Sequence, residues 1–397
     1  MPDRPTTPRR RARKAAARPG ASPAQLETEL DALRAKIDAM DGQLVKLINE
    51  RAEVAGRIGR AKAREGVKPY APSRERQVYR RVASLNRGPL PDSAFQSIYR
   101  EIMSATIALE RPTRVAYFGQ QGSFTHLAAR TKFGASVEYA AARDIRDVFM
   151  AVSRGRVDYG VIPIENSTEG GVNQSIDLLG ETRLKICSEI YLPIHHHLLS
   201  FARPRQIRIL YSHPQPFAQC RTWLAGNLGD VERKEVGSTA EAAERAAKEK
   251  HAGAIAGLLA AEIYKVPIQV ENIEDHAENI TRFFVVAEQM AIPTGDDKTS
   301  VCVSILDESG ALMRLLRPFQ KHGINLTRIE SRPSRRRAWD YVFYMDMLGH
   351  ASEPRLARAL RDVESNSRHV EVLGSYPAAS RVPSAKEHAS LQERKKT

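Results

Sequence analysis

Leu26, Leu30, Leu33, Ile37, Met40, Leu44, Leu47, Arg51, Val54 and Ile58 recur at alternating spacings of four and three. That period is the seam of a long, coiled-coil-like helix and excludes a strand, whose apolar period is two. Arg51 falls where a hydrophobe belongs, and a guanidinium on a seam is costly unless it meets an anion from a protein carboxylate or a ligand. The sequence predicts that Gly66 and Pro69 end this helix, that Ser73 caps a second one running to Arg87, and that Gly88-Pro89 precedes a third from Asp92 to Glu110. An all-α module over 25–111 results. At about 100° per residue, Arg51 and Lys62 share a face while Arg34 points about 100° away. Arg34 can join them only from another chain or through a bend.

From Val115 the pattern changes to alternating strands and helices, which predicts an α/β module over 113–291. Arg114–Phe118 reads as a strand, Gly119-Gln-Gln-Gly-Ser123 as a turn and Phe124–Lys132 as a helix. The same grammar recurs where Val161–Ile164 runs through Glu165-Asn-Ser-Thr-Glu-Gly-Gly171 into a helix at 173–179. Such turns aim backbone N–H groups and a helix dipole outward, and two of them suit a substrate with two carboxylates. Glycine also serves such turns for steric reasons alone. Neither turn is a nucleotide fingerprint. His195-His-His197 follows a strand-like run, so alternation sends His196 to the face opposite its neighbours and argues against a metal cluster. His213 is a candidate wall residue of the cleft or a structural histidine.

Ile292–Asp297 reads as a linker. Beyond it, strand, helix, strand, a basic turn at Arg335–Arg337, strand, helix and strand over 299–376 give the βαββαβ order of an α+β ferredoxin-like domain. The net charge of +14 suggests nucleic acid, but residues 1–24 carry +6 and residues 377–397 carry +3, leaving +5 for the body. Both tails are rich in Pro, Ala, Ser and charge without apolar periodicity, so they are expected to be disordered. No secretory h-region and no apolar run of membrane-spanning length occurs, and the expectation is a cytoplasmic chain with no nucleic-acid or membrane partner. Three widely spaced cysteines, Cys187, Cys220 and Cys302, match no metal spacing and no disulfide framework.

The words Gly119-Gln-Gln-Gly-Ser-Phe-Thr-His126, Val161-Ile-Pro-Ile-Glu-Asn-Ser-Thr-Glu-Gly-Gly171 and Thr281-Arg-Phe-Phe284 resemble the prephenate dehydratase family. Residues 25–111, through Ala32-Leu-Arg-Ala-Lys-Ile-Asp38 and Ala71-Pro-Ser-Arg-Glu-Arg76, resemble the all-helical chorismate mutase family. Residues 299–376, through Gly310-Ala-Leu312 and Glu330-Ser-Arg-Pro333, resemble an ACT regulatory domain. Together they resemble the bifunctional chorismate mutase/prephenate dehydratases. The resemblance implies an intertwined helical mutase, a two-lobed dehydratase like a periplasmic binding protein, and a phenylalanine-sensing domain in a homodimer or higher homo-oligomer, without metal or organic cofactor.

By position the resemblance assigns chorismate to Arg34, Arg51, Lys62, Arg74, Glu75, Thr106 and Glu110, with Lys62 and Glu110 catalytic; Ala71 and Thr106 depart from an acid and a serine found in relatives. It assigns prephenate to Ser123, Phe124, Asn166, Ser167, Thr168, Gly171, Arg282 and Phe283, with Thr281 catalytic. Phenylalanine falls to Gly310, Ala311, Leu312, Glu330, Ser331, Arg332 and Pro333. Two rival readings remain: an amino-acid-sensing binding protein, and a dehydratase whose helical module only dimerises.

Overall fold

The computed structural model describes residues 23–65, 70–110, 112–305, 308–333 and 341–379, and the chain divides into two units, 1–55 and 56–397. The expected tails, the helix stop at Gly66 and Pro69, and the basic turn at Arg335–Arg337 fall outside the described residues, apart from the tail residues at their inner edges.

Helix α1, Pro23–Arg64, follows the predicted seam, and Leu26, Leu30, Leu33, Ile37, Met40, Leu44, Leu47 and Val54 along it are exposed in the single chain. Its last residues begin the second unit, where α2 (Pro72–Leu85) and α3 (Asp92–Glu110) follow. Ala71, not Ser73, is the N-cap of α2, and no side chain caps it. Pro72 at the first turn removes one orphan N–H. That frees the Ser73 hydroxyl to donate to the Ile292 carbonyl at 2.7 Å.

The α/β region holds two sheets. The first is built from β1 (Arg114–Phe118), after which comes α4 (Phe124–Phe133), then β2 (Glu138–Ala142), α5 (Ile145–Ser153), β3 (Tyr159–Asn166), the short β4 (Gly170–Gly171), α6 (Asn173–Leu179) and β5 (Lys185–Pro193). The chain then crosses to a second sheet made of β6 (His197–Ser200), β7 (Ile209–Ser212), α7 (Pro214–Gln219), α8 (Arg221–Asn227), β8 (Glu232–Glu235), α9 (Thr239–Lys248), β9 (Ala252–Ala256), α10 (Leu258–Tyr264) and β10 (Ile268–Val270). It returns as β11, Ile280–Ala287, which inserts antiparallel between β3 and β5. The first sheet therefore runs β2-β1-β3-β11-β5 and the second β10-β6-β9-β7-β8. Two crossings joining two α/β lobes are the expected two-lobed architecture.

The C-terminal domain comprises β12 (Asp297–Ser304), α11 (Ala311–Lys321), β13 (Leu326–Pro333), β14 (Tyr341–Leu348), α12 (Pro354–Glu364) and β15 (His369–Pro377). Its antiparallel order β13-β14-β12-β15 is ferredoxin-like. The expected linker is not slack: the Asp297 carboxylate accepts from the backbone N–H groups of Thr294 and Gly295, and Arg80 donates to the Thr294 carbonyl.

This domain is seated on the first lobe by buried charge. Arg282 on β11 donates through Nε and Nη2 to Glu189 on β5, and through Nη1 to Asp346 on β14. Lys298 donates to the other Glu189 oxygen at 2.8 Å, and Ser300 and Tyr376 complete the network. All four charged side chains are at most 7% exposed. Two cations meet two anions, so the burial is compensated. Burial alone would raise the Asp346 pKa, but the Arg282 guanidinium, the Ser300 hydroxyl and Arg328 together outweigh it and hold the carboxyl below its usual range. Nearby, a Cβ on Gly374 would lie 2.2 Å from the Ile186 carbonyl oxygen. Only glycine lets β15 lie this close to β5.

Replacing Arg282 by Met leaves the buried Asp346 without its cation and Glu189 with Lys298 alone, so thermal unfolding should show a loss of about 3–5 kcal/mol. Since the Asp346 pKa is depressed on folding, its contribution is complete above the ordinary carboxylate range and is lost as pH falls through the lower folded value. Asp346→Asn should flatten that acid limb of the stability curve; an unchanged limb would show that Asp346 does not carry it.

Candidate functional site

A cavity of about 940 Å³ separates the two lobes, within the range of small-molecule sites. The first lobe supplies Gly119, Ser123 and Phe124 from the β1–α4 turn, Arg143 from the end of β2, and Asn166 with Gly170 and Gly171 from the β3–α6 turn. The second supplies His213, Gln215 and Gln219 around α7 and Ser238, Thr239 and Glu241 at the start of α9. Thr281 and Phe283 of β11 form part of the wall, and His196 and Asn279 enter from the two crossings.

The N-terminal ends of α4 and α9 both open on this space, and their partial positive charge favours an anion. The two turns nevertheless differ from the expected bare N–H cradles. Asn166 Oδ1 accepts from the N–H groups of Thr168 and Glu169 and from the Thr168 hydroxyl. In the other turn, Gly122 N–H donates to His126 Nδ1 and Ser123 Oγ caps His126 N–H. Burial pushes the His126 pKa down to about 4, so its ring is neutral and able to accept. It stacks on Tyr117 with ring centroids 4.5 Å apart.

Asn166 is the hub. With its oxygen occupied by donors, its amide must point the other way, where Nδ2 donates to Thr281 Oγ1 at 2.9 Å and to Asn279 Oδ1 at 2.8 Å. Asn279 Nδ2 donates in turn to Gln219 Oε1 at 3.1 Å, and His196 Nε2 contacts the same oxygen at 2.8 Å. Thr281 and Asn166 are direct partners in the β11–β3 ladder. Because the Thr281 oxygen already accepts from Asn166, its proton is available to a group in the cleft.

Of the expected prephenate residues, Ser123, Phe124, Asn166, Gly171 and Phe283 line the cavity together with Thr281. Ser167 instead ties the turn to β11, donating to the Glu278 carbonyl and accepting from Ile280 N–H. Thr168 supports Asn166 from behind. Arg282 is a correction: strand alternation that turns Thr281 and Phe283 to the cleft sends it to the opposite face, into the charge cluster. His195, His196 and His197 do not converge: His195 pairs with Glu274, His196 with Gln219, and His197 accepts from Asn272 N–H. The sequence reading used His196 only to argue against a metal cluster and gave Gln219 and Asn279 no role, although Gln219 lies six residues after His213 and Asn279 two before Thr281.

On the helical side, Glu75 sits in a buried cluster. It is 7% exposed and accepts from Tyr70 and Tyr79 hydroxyls and from Lys132 of α4, so its carboxylate is spent on fastening α2 to the α/β region. Thr106 is buried and donates to the Ile102 carbonyl. Arg74 is exposed and meets Gln77. Arg34, also exposed, pairs with Asp31, while Arg51 and Lys62 are part-buried. Glu110 ends α3, and its side chain lies outside the described residues.

In the C-terminal domain, Gly310 (φ 78°) caps α11, followed by Ala311 and the exposed Leu312. Glu330, Ser331, Arg332 and Pro333 end β13. Arg332 reaches Asn173 and Asp177 of α6, and Arg328 reaches Glu165 of β3. The Glu330 carboxylate lies under 3 Å from the position of a Cβ on Gly171. This strand therefore touches the turn that carries Asn166.

Comparison with known proteins finds three family profiles in order along the chain. The chorismate mutase type II profile matches residues 33–111, the prephenate dehydratase profile 115–291 and the ACT domain profile 300–365. A bifunctional chorismate mutase/prephenate dehydratase of Aquifex aeolicus is 46% identical over 88% of this chain and 98% of its own length. A solved prephenate dehydratase from Arthrobacter aurescens, in complex with L-Phe, is 31% identical with a TM-score of 0.63, covering 72% of this chain and all of that one. GqqA, described as a novel type of quorum quenching acylase, is 31% identical with a TM-score of 0.62 over 67% of this chain and 98% of that one.

Gly122 (φ 86°) brings its turn to 3.0 Å from the Ala260 Cα across the cleft, measured from a Cβ placed on it. Gly122→Ala should cost about 1–3 kcal/mol by backbone strain alone, and it should wedge the lobes apart. Thermal unfolding reads the first effect and small-angle scattering the second; an unshifted melting temperature would contradict both.

Proposed function

The chain belongs to the bifunctional chorismate mutase/prephenate dehydratase family, and we propose that its two chemistries are carried by the helical residues named above and by the cleft around Thr281. It is an enzyme with both activities. The observation that carries the residue assignment is the Thr281 hydroxyl, which faces the cleft and accepts from Asn166.

Dehydration of prephenate breaks the bond to the ring carboxylate. Carbon dioxide leaves, the electron pair enters the ring, and the ring expels its hydroxyl as the product becomes phenylpyruvate. Hydroxide is a poor leaving group, so the step needs a proton at that oxygen. Thr281 Oγ donates it or relays it, oriented by Asn166. The ends of α4 and α9 and the Arg143 guanidinium receive the carboxylates of the dianion. Arg282 has no part in this and serves the domain contact.

Chorismate rearrangement is intramolecular and needs no nucleophile. The site must hold a dicarboxylate in a compact conformer and stabilise charge growing on the ether oxygen. Arg34, Arg51 and Arg74 are the carboxylate ligands, and Lys62 and Glu110 flank the oxygen, where Glu110 can donate only if protonated. Glu75 fixes α2 beside this site through Lys132 and Tyr79. A second copy of the chain covers the exposed α1 seam and supplies Arg34.

L-phenylalanine is the effector, bound at Gly310–Leu312 and Glu330–Pro333 and favouring one of two arrangements of the C-terminal domain. Two contacts support a route to the cleft: Arg282 is the neighbour of Thr281 on β11, and Arg328 and Arg332 grip the β3–α6 turn.

The two activities should separate. Lys62→Ala should abolish mutase turnover and spare dehydration of supplied prephenate, whereas Thr281→Ala should do the reverse, read from chorismate loss and phenylpyruvate formation; one variant losing both while folded would sink the assignment. Leu312→Asp, at an exposed position, should keep dehydratase turnover but abolish inhibition by phenylalanine. Persisting inhibition would move the effector site elsewhere.

A further inference from the structure

We propose that His196 is a positioning residue of the dehydratase, locked as the neutral Nε2–H tautomer so that the amide chain from Gln219 to Asn166 points the Thr281 proton at the substrate. The inference rests on the reading of Thr281 as the hydroxyl donor.

The direction of each bond in this chain is fixed by its neighbours. Gln219 Oε1 faces Asn279 Nδ2, which can only donate, while Gln219 Nε2 lies 3.4 Å from a Glu169 carboxylate oxygen and 3.5 Å from Thr168 Oγ1, both acceptors toward it. Turning the amide round would set donor against donor at Asn279 and oxygen against oxygen at Glu169. Gln219 therefore presents oxygen to His196, and His196 Nε2 must carry a proton. Its other nitrogen, Nδ1, is buried without a hydrogen-bond partner. A proton there would be an unsatisfied buried donor, so both the alternative tautomer and the imidazolium are disfavoured. Burial depresses the His196 pKa in the same sense.

The ring itself is held rigidly. It is 1% exposed and packs edge-on against Phe124 of the cleft wall, with centroids 5.5 Å apart. Its backbone N–H donates to Glu274, and its carbonyl accepts from Ile273 N–H, so the first crossing between lobes is strapped to the second. Gln219 belongs to the second lobe, whereas Asn166 and Thr281 belong to the first. The chain His196–Gln219–Asn279–Asn166–Thr281 therefore spans the hinge, and His196 is its terminal donor. Without that donor, one bond fewer opposes rotation of the Gln219 amide, and the alignment passed on to Asn166 and Thr281 loosens.

His196→Phe keeps the ring and its contact with Phe124 but removes the donor, whereas His196→Gln places an N–H near the former Nε2. In the full-length enzyme with prephenate, the Phe variant should lose about tenfold in kcat, the worth of one neutral hydrogen bond, with KM changed far less. The Gln variant should recover most of that loss, and mutase turnover should be unaltered in both. Equal loss in the two variants would show a packing role and overturn the proposal, as would an undiminished kcat in the Phe variant. Should the Phe variant fail to fold, the nitrogen-15 shifts of His196 in the wild-type protein decide: protonation at Nδ1 overturns the proposal, protonation at Nε2 supports it. Thr281→Val tests the underlying reading separately, because retained dehydration in that variant removes Thr281 whatever the His196 variants do.

Discussion

Strand β11 is antiparallel between β3 and β5, and its pleat governs the molecule from 56 onward. Successive residues of a strand face opposite ways, so one dipeptide serves two tasks. Thr281 enters the cleft and Arg282 enters the contact with the C-terminal domain. The cleft wall and the contact with the C-terminal domain are thus served by adjacent residues, not by positions joined through a long path. A rigid central strand, hydrogen-bonded on both edges, is the kind of element that transmits a small displacement without absorbing it.

Buried ion pairs are weak sources of stability and strong sources of specificity of fit, because each charge is costly unless its partner is in place. The Arg282, Lys298, Glu189 and Asp346 cluster fits that description: four charges from four strands, two from the first lobe and two from the C-terminal domain. An apolar contact of this size would tolerate sliding. This one does not, and the close approach of Gly374 to Ile186 removes the remaining slack.

Much of the architecture was legible because it is written in periods. The four-three seam gave α1, strand-turn-helix grammar gave β1–α4 and β3–α6, and the βαββαβ order gave the C-terminal sheet. The errors came where one residue type serves two physical roles. Arg282 is a charge beside a functional word, and charge near a site reads as ligand; it is spent on a buried contact with a residue 64 positions away, which no local pattern reveals, as none reveals the contact of Glu75 with Lys132, 57 positions away. Alternation through Thr281-Arg282-Phe283 did contain the warning about Arg282. Ser73 resembled a cap because Pro72 hides the true N-cap one residue earlier. Gln219 and Asn279 were invisible for a different reason: an amide gains meaning only from the direction of its partners' bonds, which is a three-dimensional property.

Those directions also bear on which group can move a proton in the cleft. A histidine is the usual choice near neutral pH, yet the two buried rings beside this cleft are both held neutral by burial and committed to structure. His126, at about 4, accepts from Gly122 N–H and shapes one turn. His196 donates to Gln219 and holds the hinge. On the proposed assignment, proton donation falls to Thr281, a group that needs no change of charge on binding a dianion. A hydroxyl whose lone pair is already engaged meets that requirement, since its proton can be aimed without creating a buried charge. The same burial that makes His196 unfit as an acid makes it, on the proposed reading, rigid enough to aim Thr281.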